Sequence, residues 1–207
     1  MKVWYIGILT NKKEPEPALE LAGVDDLLKK ANFITVGPYR EVLMFNVTTV
    51  AQRMDPEKRD TTFEGDYAVH SYVRPEGIIG VVVTDKEYTP LAAHKILGQI
   101  CDEFLSQYPR SSWPTKKVAK KDYTTQPYNR TLEGYLKKYQ NPLEADSMAK
   151  IQQELDETKI VLHKTIESVL ERGEKLDSLI AKSDGLSAQS KMFYTQAKKQ
   201  NSCCVVM

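Results

Sequence analysis

The chain has 207 residues, 28 % of them charged, with 29 Lys and Arg against 28 Asp and Glu and a net charge of +1. That balance gives no basic stripe for nucleic acid. No apolar run approaches the ~18 residues needed to cross a bilayer, and Ile78 to Val83 is only a short one that contains Gly80.

The opening Met1-Lys2-Val3-Trp4-Tyr5-Ile6-Gly7-Ile8-Leu9 lacks a long apolar core and a small-residue cleavage site, so it reads as a strand and the protein is expected in the cytosol. Lys2 to Thr10 forms that strand, punctuated by the two prolines of Asn11 to Pro17. Ala18 to Lys30 has helical spacing at Leu19, Val24, Leu27 and Leu28, and Phe33 to Val36 reads as a strand before Gly37-Pro38. Val42, Phe45, Val47, Val50 and Met54 suggest a helix, against the β-branched run Val47-Thr48-Thr49-Val50. Thr61 to Glu64 adds a strand, and Tyr67 to Val73 with Gly77 to Thr84 makes a hairpin around Arg74-Pro75-Glu76-Gly77, with proline and glycine where a type I turn wants them. A helix follows from Pro90 to about Tyr108, with Leu91, His94, Leu97, Ile100, Cys101, Phe104 and Leu105 on one face. Trp113-Pro114 and Gln126-Pro127 bound an irregular linker, and Leu132 to Tyr139 is a short helix before Asn141-Pro142. About 140 residues therefore precede a C-terminal segment of different character, enough for one core.

That segment carries a seam at alternating steps of three and four: Met148, Ile151, Leu155, Thr158, Leu162, Thr165, Val169, Arg172, Leu176, Leu179, Ser183, Leu186, Ser190, Phe193, Ala197 and Gln200. It is a heptad pattern sustained for about seven repeats, which predicts a coiled-coil helix. Arg172 interrupts it at the centre. A guanidinium at a seam position must leave water on association, at a cost of several kcal/mol unless fixed acceptors surround it. Its neighbouring layers, Val169 and Leu176, offer no oxygen, so the acceptors come from other helices, and three glutamine carbonyls would suit. Alone, the helix is poorly supported: Gly173 and Gly185 each cost about 1 kcal/mol, and Thr158, Thr165, Ser183, Ser190 and Gln200 weaken the stripe. Folding on partner binding is expected. A phosphate on Ser183 or Ser190 would set about two negative charges where packing is required.

The sequence Cys203-Cys204-Val205-Val206-Met207 is a Cys-aliphatic-aliphatic-Met tail. It predicts farnesyl on Cys204 and palmitoyl on Cys203, because a terminal methionine favours farnesyl and one lipid chain anchors only marginally. Adjacent cysteines without nearby histidine cannot close a tetrahedral metal shell, and Cys101 reads as a small core residue.

Val169-Leu170-Glu171-Arg172-Gly173-Glu174-Lys175-Leu176 resembles the central layer of the R-SNARE family, whose arginine meets three glutamines in a parallel four-helix bundle. Leu155-Asp156-Glu157-Thr158-Lys159 and the Phe193 layer are also similar to that family. The order of elements ahead of it, with Thr84-Asp85-Lys86-Glu87-Tyr88 after the hairpin, resembles a longin domain. Together with the two-cysteine tail, the chain resembles the prenylated longin R-SNAREs of the secretory pathway that lack a membrane span. The resemblance implies an α+β fold: a profilin-like longin domain over residues 1–140 with a five-stranded antiparallel sheet, a coiled-coil segment over 141–201 and a lipidated tail over 202–207. It implies three glutamine-type SNARE helices, membranes and SNARE assembly and disassembly factors as partners, at endoplasmic reticulum, Golgi, endosomal and vacuolar membranes. It implies removal of Val205, Val206 and Met207 after prenylation. It also implies a closed form in which the longin domain covers the SNARE segment and shields the lipid, with Phe45 at the contact. A closed form has a second motive, since a bare farnesyl and seam would expose a large apolar patch in the cytosol.

Other classes fit less well. His70, His94 and His163 neither pair with cysteines nor show metal spacing, and no Gly-x-x-x-x-Gly-Lys-Ser/Thr loop is present, so no cofactor beyond the covalent lipids and no small-molecule substrate is expected. The alternatives are weak S-acyl transfer through a cysteine thiolate and a lipid-anchored coiled-coil tether that homodimerises.

Overall fold

The computed structural model describes residues 2–11, 18–29, 31–32, 34–114, 126–140 and 160–203. The strands are β1 (Val3–Thr10), β2 (Glu20–Asp25), β3 (Arg59–Glu64), β4 (Tyr67–Val73), β5 (Ile78–Asp85) and β6 (Ile160–His163). The α-helices are α1 (Val36–Arg53), α2 (Pro90–Gln107), α3 (Asn129–Lys138), α4 (Leu176–Lys182) and α5 (Ala188–Cys203).

One six-stranded sheet runs in the order β2-β1-β5-β4-β3-β6. Helices cover both faces, which is why central β1 and β5 are nearly continuous apolar runs rather than alternating ones. On one face Ile6, Ile8, Ile78 and Val82 pack under Ile96, Leu97, Ile100 and Phe104 of α2 and Leu132 and Leu136 of α3. Gly80 lets α2 approach: a Cβ there would meet Cys101 Sγ at 2.6 Å. On the other face Leu9, Val69, Ile79, Val81 and Val83 pack under Leu43, Val47, Val50 and Ala51 of α1. A register shift between Val3 and Tyr5 puts Val3 on the same face as Ile6, despite their odd spacing.

The β4–β5 hairpin, α2 and α3 stand where the sequence places them. Helix α1 starts earlier than the apolar spacing suggests, at Val36. It tolerates its β-branched run in part because Thr48 Oγ1 donates to Met44 O at 2.9 Å. Two expectations are corrected. The helix expected over Ala18–Lys30 is strand β2, paired antiparallel to β1 from Tyr5↔Asp25 to Leu9↔Glu20, because the backbone edge of β1 demands a partner and Gly23 weakens a helix there. The strand expected over Phe33–Val36 is instead the turn into α1; Asn32 Oδ1 accepts from the N–H groups of Ile34 at 3.1 Å and Thr35 at 2.9 Å, and Phe33 lies outside the described residues.

The sheet also has six strands and not five, and it is mixed. Its extra strand, β6, comes from the seam and pairs in parallel with β3. In this conformation the described part of the segment is not one helix. It is a strand, a single 3-10 turn at Ile166–Val169, and two helices, because its apolar side chains bury on the longin domain and not on partner helices.

Candidate functional site: a groove on α1 and β3 and the segment that fills it

The outer face of α1 and the edge of β3 form a groove that the C-terminal segment lines from end to end. Strand β6 enters along β3 with Arg59↔Ile160, Asp60↔Val161, Thr61↔Leu162 and Thr62↔His163 as partners. Parallel pairing needs a crossover, and the chain between α3 and β6 supplies its length. His163 Nε2 stands 3.4 Å from Asp60 Oδ2; burial pushes the Asp60 carboxyl up, and His163 opposes that shift. The Ile166 N–H donates to Glu64 Oε2 at 3.0 Å, and the Ile166 side chain is completely buried.

A tight turn follows over 171–174. The Glu174 N–H donates to Glu171 O at 3.0 Å, and Gly173 holds φ of 96°, a conformation glycine adopts without strain. The Glu174 carboxylate accepts from Arg53 Nε at 3.2 Å, Arg53 Nη2 at 3.1 Å and the Glu171 N–H at 3.0 Å. The Glu171 N–H, then the Arg53 guanidinium, hold that carboxyl below its usual range. Leu176, Ile180 and Leu186 then enter the cluster built on Leu43, Val47 and Val50. At the far end Glu41 accepts from the Ser187 N–H at 3.0 Å and from Ser190 Oγ at 2.8 Å, and these bonds, the backbone one first, lower its pKa. Phe193 meets Tyr39 edge-on with ring centroids 6.0 Å apart. Helices α4 and α5 are tied together by Asp177, which accepts from Lys198 Nζ at 2.6 Å and the Tyr194 hydroxyl at 2.9 Å.

Beside α5 a cavity of about 400 Å³ opens, walled chiefly by Tyr39, Val42, Leu43, Tyr67, Leu176 and Phe193. Its lining is mostly apolar, and the last residues of α5 that it touches are Ala197 and Lys198.

The seam residues are divided among these roles. Leu176, Leu186 and Ser190 are buried, while Val169, Leu179, Ser183, Phe193 and Ala197 are half-buried. Leu162 and Thr165 face solvent. Arg172 is exposed, at the tip of the 171–174 turn. Phe45 is half-buried on α1 and packs against the cluster that receives the segment. Met148, Ile151, Leu155 and Thr158 lie outside the described residues, as do Cys204, Val205, Val206, Met207 and the side chains of Gln200 and Cys203.

Sequence reasoning missed the residues that make docking specific: Ile166, Leu170 and Ile180, and the anchors Tyr39, Glu41, Arg53 and Glu174. A signal existed for the first three. Each is an apolar residue one step past a seam position or between two of them, where a coiled coil has no use for it. The ionic anchors left none, since Arg53 and Glu174 are 121 residues apart in sequence.

The histidines that could suggest catalysis are structural. His70 bridges Thr61 Oγ1 and Thr84 Oγ1, each at 2.9 Å, and His94 Nε2 lies 3.0 Å from Thr61 Oγ1. Burial pushes their pKa values down to about 3 and about 2.

Two family descriptions match the chain: a Longin, or regulated-SNARE-like, domain over residues 34–136 and Synaptobrevin over residues 147–205. A protein named synaptobrevin homolog YKT6 from Debaryomyces hansenii is 48 % identical over 207 residues, covering all of both chains. The chain belongs to the YKT6 family of synaptobrevin homologues. Members from Saccharomyces cerevisiae and Schizosaccharomyces pombe are 47 % and 45 % identical, again over the whole of both chains. This YKT6-family chain is thus a longin-domain R-SNARE that acts in membrane trafficking, through other SNARE proteins and membranes. Among its described residues no helix is long and apolar enough to cross a membrane.

Proposed function

We propose that the chain supplies the Arg172-bearing helix to a parallel four-helix bundle with three glutamine-type helices, driving vesicle fusion in endoplasmic reticulum–Golgi, endosomal and vacuolar transport. The groove holds it inactive between rounds. One observation carries this reading: Leu176, Leu186 and Ser190, needed as layers of a bundle, are buried against α1 and its surroundings, whereas Arg172 stands in water. The same side chains cannot pack in both places. Docking therefore competes with assembly, and Arg172, which gains nothing from docking, is kept for the other state. As a helix, residues 148–200 would span roughly 80 Å at 1.5 Å per residue, so zippering toward the tail would draw its anchor toward the facing membrane.

Membrane attachment falls to farnesyl on Cys204 and palmitoyl on Cys203, the second chain making a marginal anchor lasting until its thioester is cleaved. The cavity beside α5 supports shielding of a lipid in the docked state: it is apolar, within the ~300–1,000 Å³ of ordinary ligand pockets, and open next to the helix that carries Cys203. Any acyl transfer would rest on the tail cysteines. Burial drives the Cys101 thiol up to about 12, which leaves no thiolate to react.

The test is assembly with three glutamine-type helices, followed by circular dichroism and by vesicle partition of Cys203→Ser and Cys204→Ser forms. The account expects helix gain on mixing and stepwise loss of membrane residence; a helical homodimer of the chain by itself would favour the tether instead.

A further inference from the structure

Asn46 is 2 % exposed on the α1 face that also buries Leu43, Val47 and Val50, and it lines the cavity beside α5. Its Nδ2 donates to Tyr67 Oη at 2.7 Å, while its Oδ1 has no hydrogen-bond partner among the described residues. Tyr67, itself 9 % exposed and on the same wall, accepts that bond, and its own O–H proton meets no acceptor among the described residues. Burial, the largest cause, raises the Tyr67 phenol far above its usual range, so the proton stays in place. A polar group buried without a partner pays its desolvation cost in full. Here an acceptor and a donor stand side by side: the amide oxygen is joined through one carbon to the nitrogen that touches Tyr67 Oη, so a single oxygen atom can bridge both. Water fills this space poorly. One molecule takes up about 30 Å³, a small part of the cavity's 400 Å³ or so, and walls that are mostly apolar hold no cluster.

We propose that the cavity takes a neutral lipid alcohol, whose one hydroxyl donates to Asn46 Oδ1 and accepts from the Tyr67 hydroxyl. A hydrocarbon chain alone suits the apolar walls but leaves both groups dry. A carbonyl accepts from Tyr67 and still leaves the amide oxygen bare. A carboxylate or phosphate meets further opposition: among the described residues the charged lining is Glu64, Asp66 and Glu167 against Lys198, and Lys198 Nζ is already held by Asp177 at 2.6 Å. An alcohol donates and accepts through one atom. Turning the Asn46 amide over exchanges its donor and acceptor and leaves the fit intact, since the hydroxyl then accepts from Nδ2 and donates to Tyr67 Oη. Leu176 and Phe193 wall the same space from the C-terminal segment, so the bound alcohol also favours the docked form. This selectivity rests on the lipid-shielding reading of the cavity given above.

The test is equilibrium dialysis of the full chain carrying Cys203→Ser and Cys204→Ser, which leaves no lipid of its own to compete, against farnesol and against farnesene, a hydrocarbon of the same branched skeleton without the oxygen. The parent chain should bind farnesol at least as tightly as farnesene, although the hydroxyl must leave water. Asn46→Leu should move the ratio of the two affinities about tenfold toward farnesene, the worth of one hydrogen bond made in a dry site. Tyr67→Phe, which keeps the ring and removes only the hydroxyl, should move it in the same direction. Farnesene binding with a ratio that neither substitution moves, as it would be if water already served the amide, overturns the selectivity and leaves the shielding reading standing. Binding of neither probe by the parent chain overturns both.

Discussion

Gly173→Ala should release the docked segment without touching either surface of the groove. In the docked state Gly173 holds φ of 96°, where an L-residue is strained by about 1–2 kcal/mol. In a bundle the same residue is helical, and alanine there is better than glycine by about 1 kcal/mol. The two terms act in one direction and sum to about 2–3 kcal/mol, roughly a 30- to 150-fold shift from the docked form toward the bundle at 1.4 kcal/mol per tenfold. A Cβ built at Gly173 meets nothing within 4 Å, so sterics add no further term. Hydrogen exchange of amides 160–200 in the chain without partner helices reads the docked-state term alone: their protection should fall about 5- to 30-fold while amides of β1, β4 and β5 keep theirs. Gly185→Ala is the control. It carries no positive φ and gains helix propensity only, so its effect of about 1 kcal/mol should appear in bundle assembly and not in the exchange of the chain alone. Equal protection in Gly173→Ala and the parent chain would refute the claim that this turn holds the segment.

Three further outcomes follow from the contacts. Glu41→Ala leaves the buried Ser190 hydroxyl and the Ser187 N–H without their acceptor, and should open the α5 end by about 1–2 kcal/mol, seen as lost protection at 187–200 with the 160–170 amides little changed. Phe45→Ala removes a half-buried ring from the docking cluster and should loosen the segment by about 1–2 kcal/mol; small-angle scattering should show an expanded chain, and an unchanged radius would remove Phe45 from the contact. Acid should destabilise the longin core. His70 and His94 are held neutral down to about pH 3 and 2, while the unfolded chain takes up protons below about 6.5. Stability is therefore complete above pH 6.5 and falls as pH drops toward those folded values. At pH 5.5 the loss is about 1.4 kcal/mol per histidine and about 3 kcal/mol for both. Urea midpoints at pH 7.5 and 5.5 measure it, and His70→Gln should show about half the drop.

The sequence was most legible where local chemistry and tertiary environment agree. The β4–β5 hairpin was readable because Pro75 and Gly77 sit where its turn needs them, and α2 because its apolar stripe, with Pro90 at the first position, matches one buried face. Strand β2 was misread because Leu19, Val24, Leu27 and Leu28 satisfy a helical period, and only the edge of β1, distant in sequence, decides for a strand. The C-terminal segment is a different case. Its seven-residue period is the one the proposed bundle would use, but the docked state follows another pattern written through it, in Ile166, Leu170 and Ile180. Ile160-Val161-Leu162-His163 is β-branched enough to pair with β3, as it does here, and periodic enough for the proposed helix. Under the proposed function the chain would carry two overlapping codes, and a single-period reading finds the stronger. The ionic anchors Arg53–Glu174 and Glu41–Ser190 join residues far apart along the chain, so only the fold brings them into view.

The central claim is that the groove and the bundle compete for one segment and that Arg172 belongs to the bundle. Paired spin labels at exposed Glu133 and Met192, in a chain with Cys203 and Cys204 replaced by serine, test it directly. Alone, the chain should give one narrow distance, unchanged by Arg172→Ala; with three glutamine-type helices that distance should give way to a broad, longer distribution, and Arg172→Ala should weaken this conversion. A four-helix complex that forms with the original distance intact, or as tightly with Arg172→Ala as without it, would contradict the account.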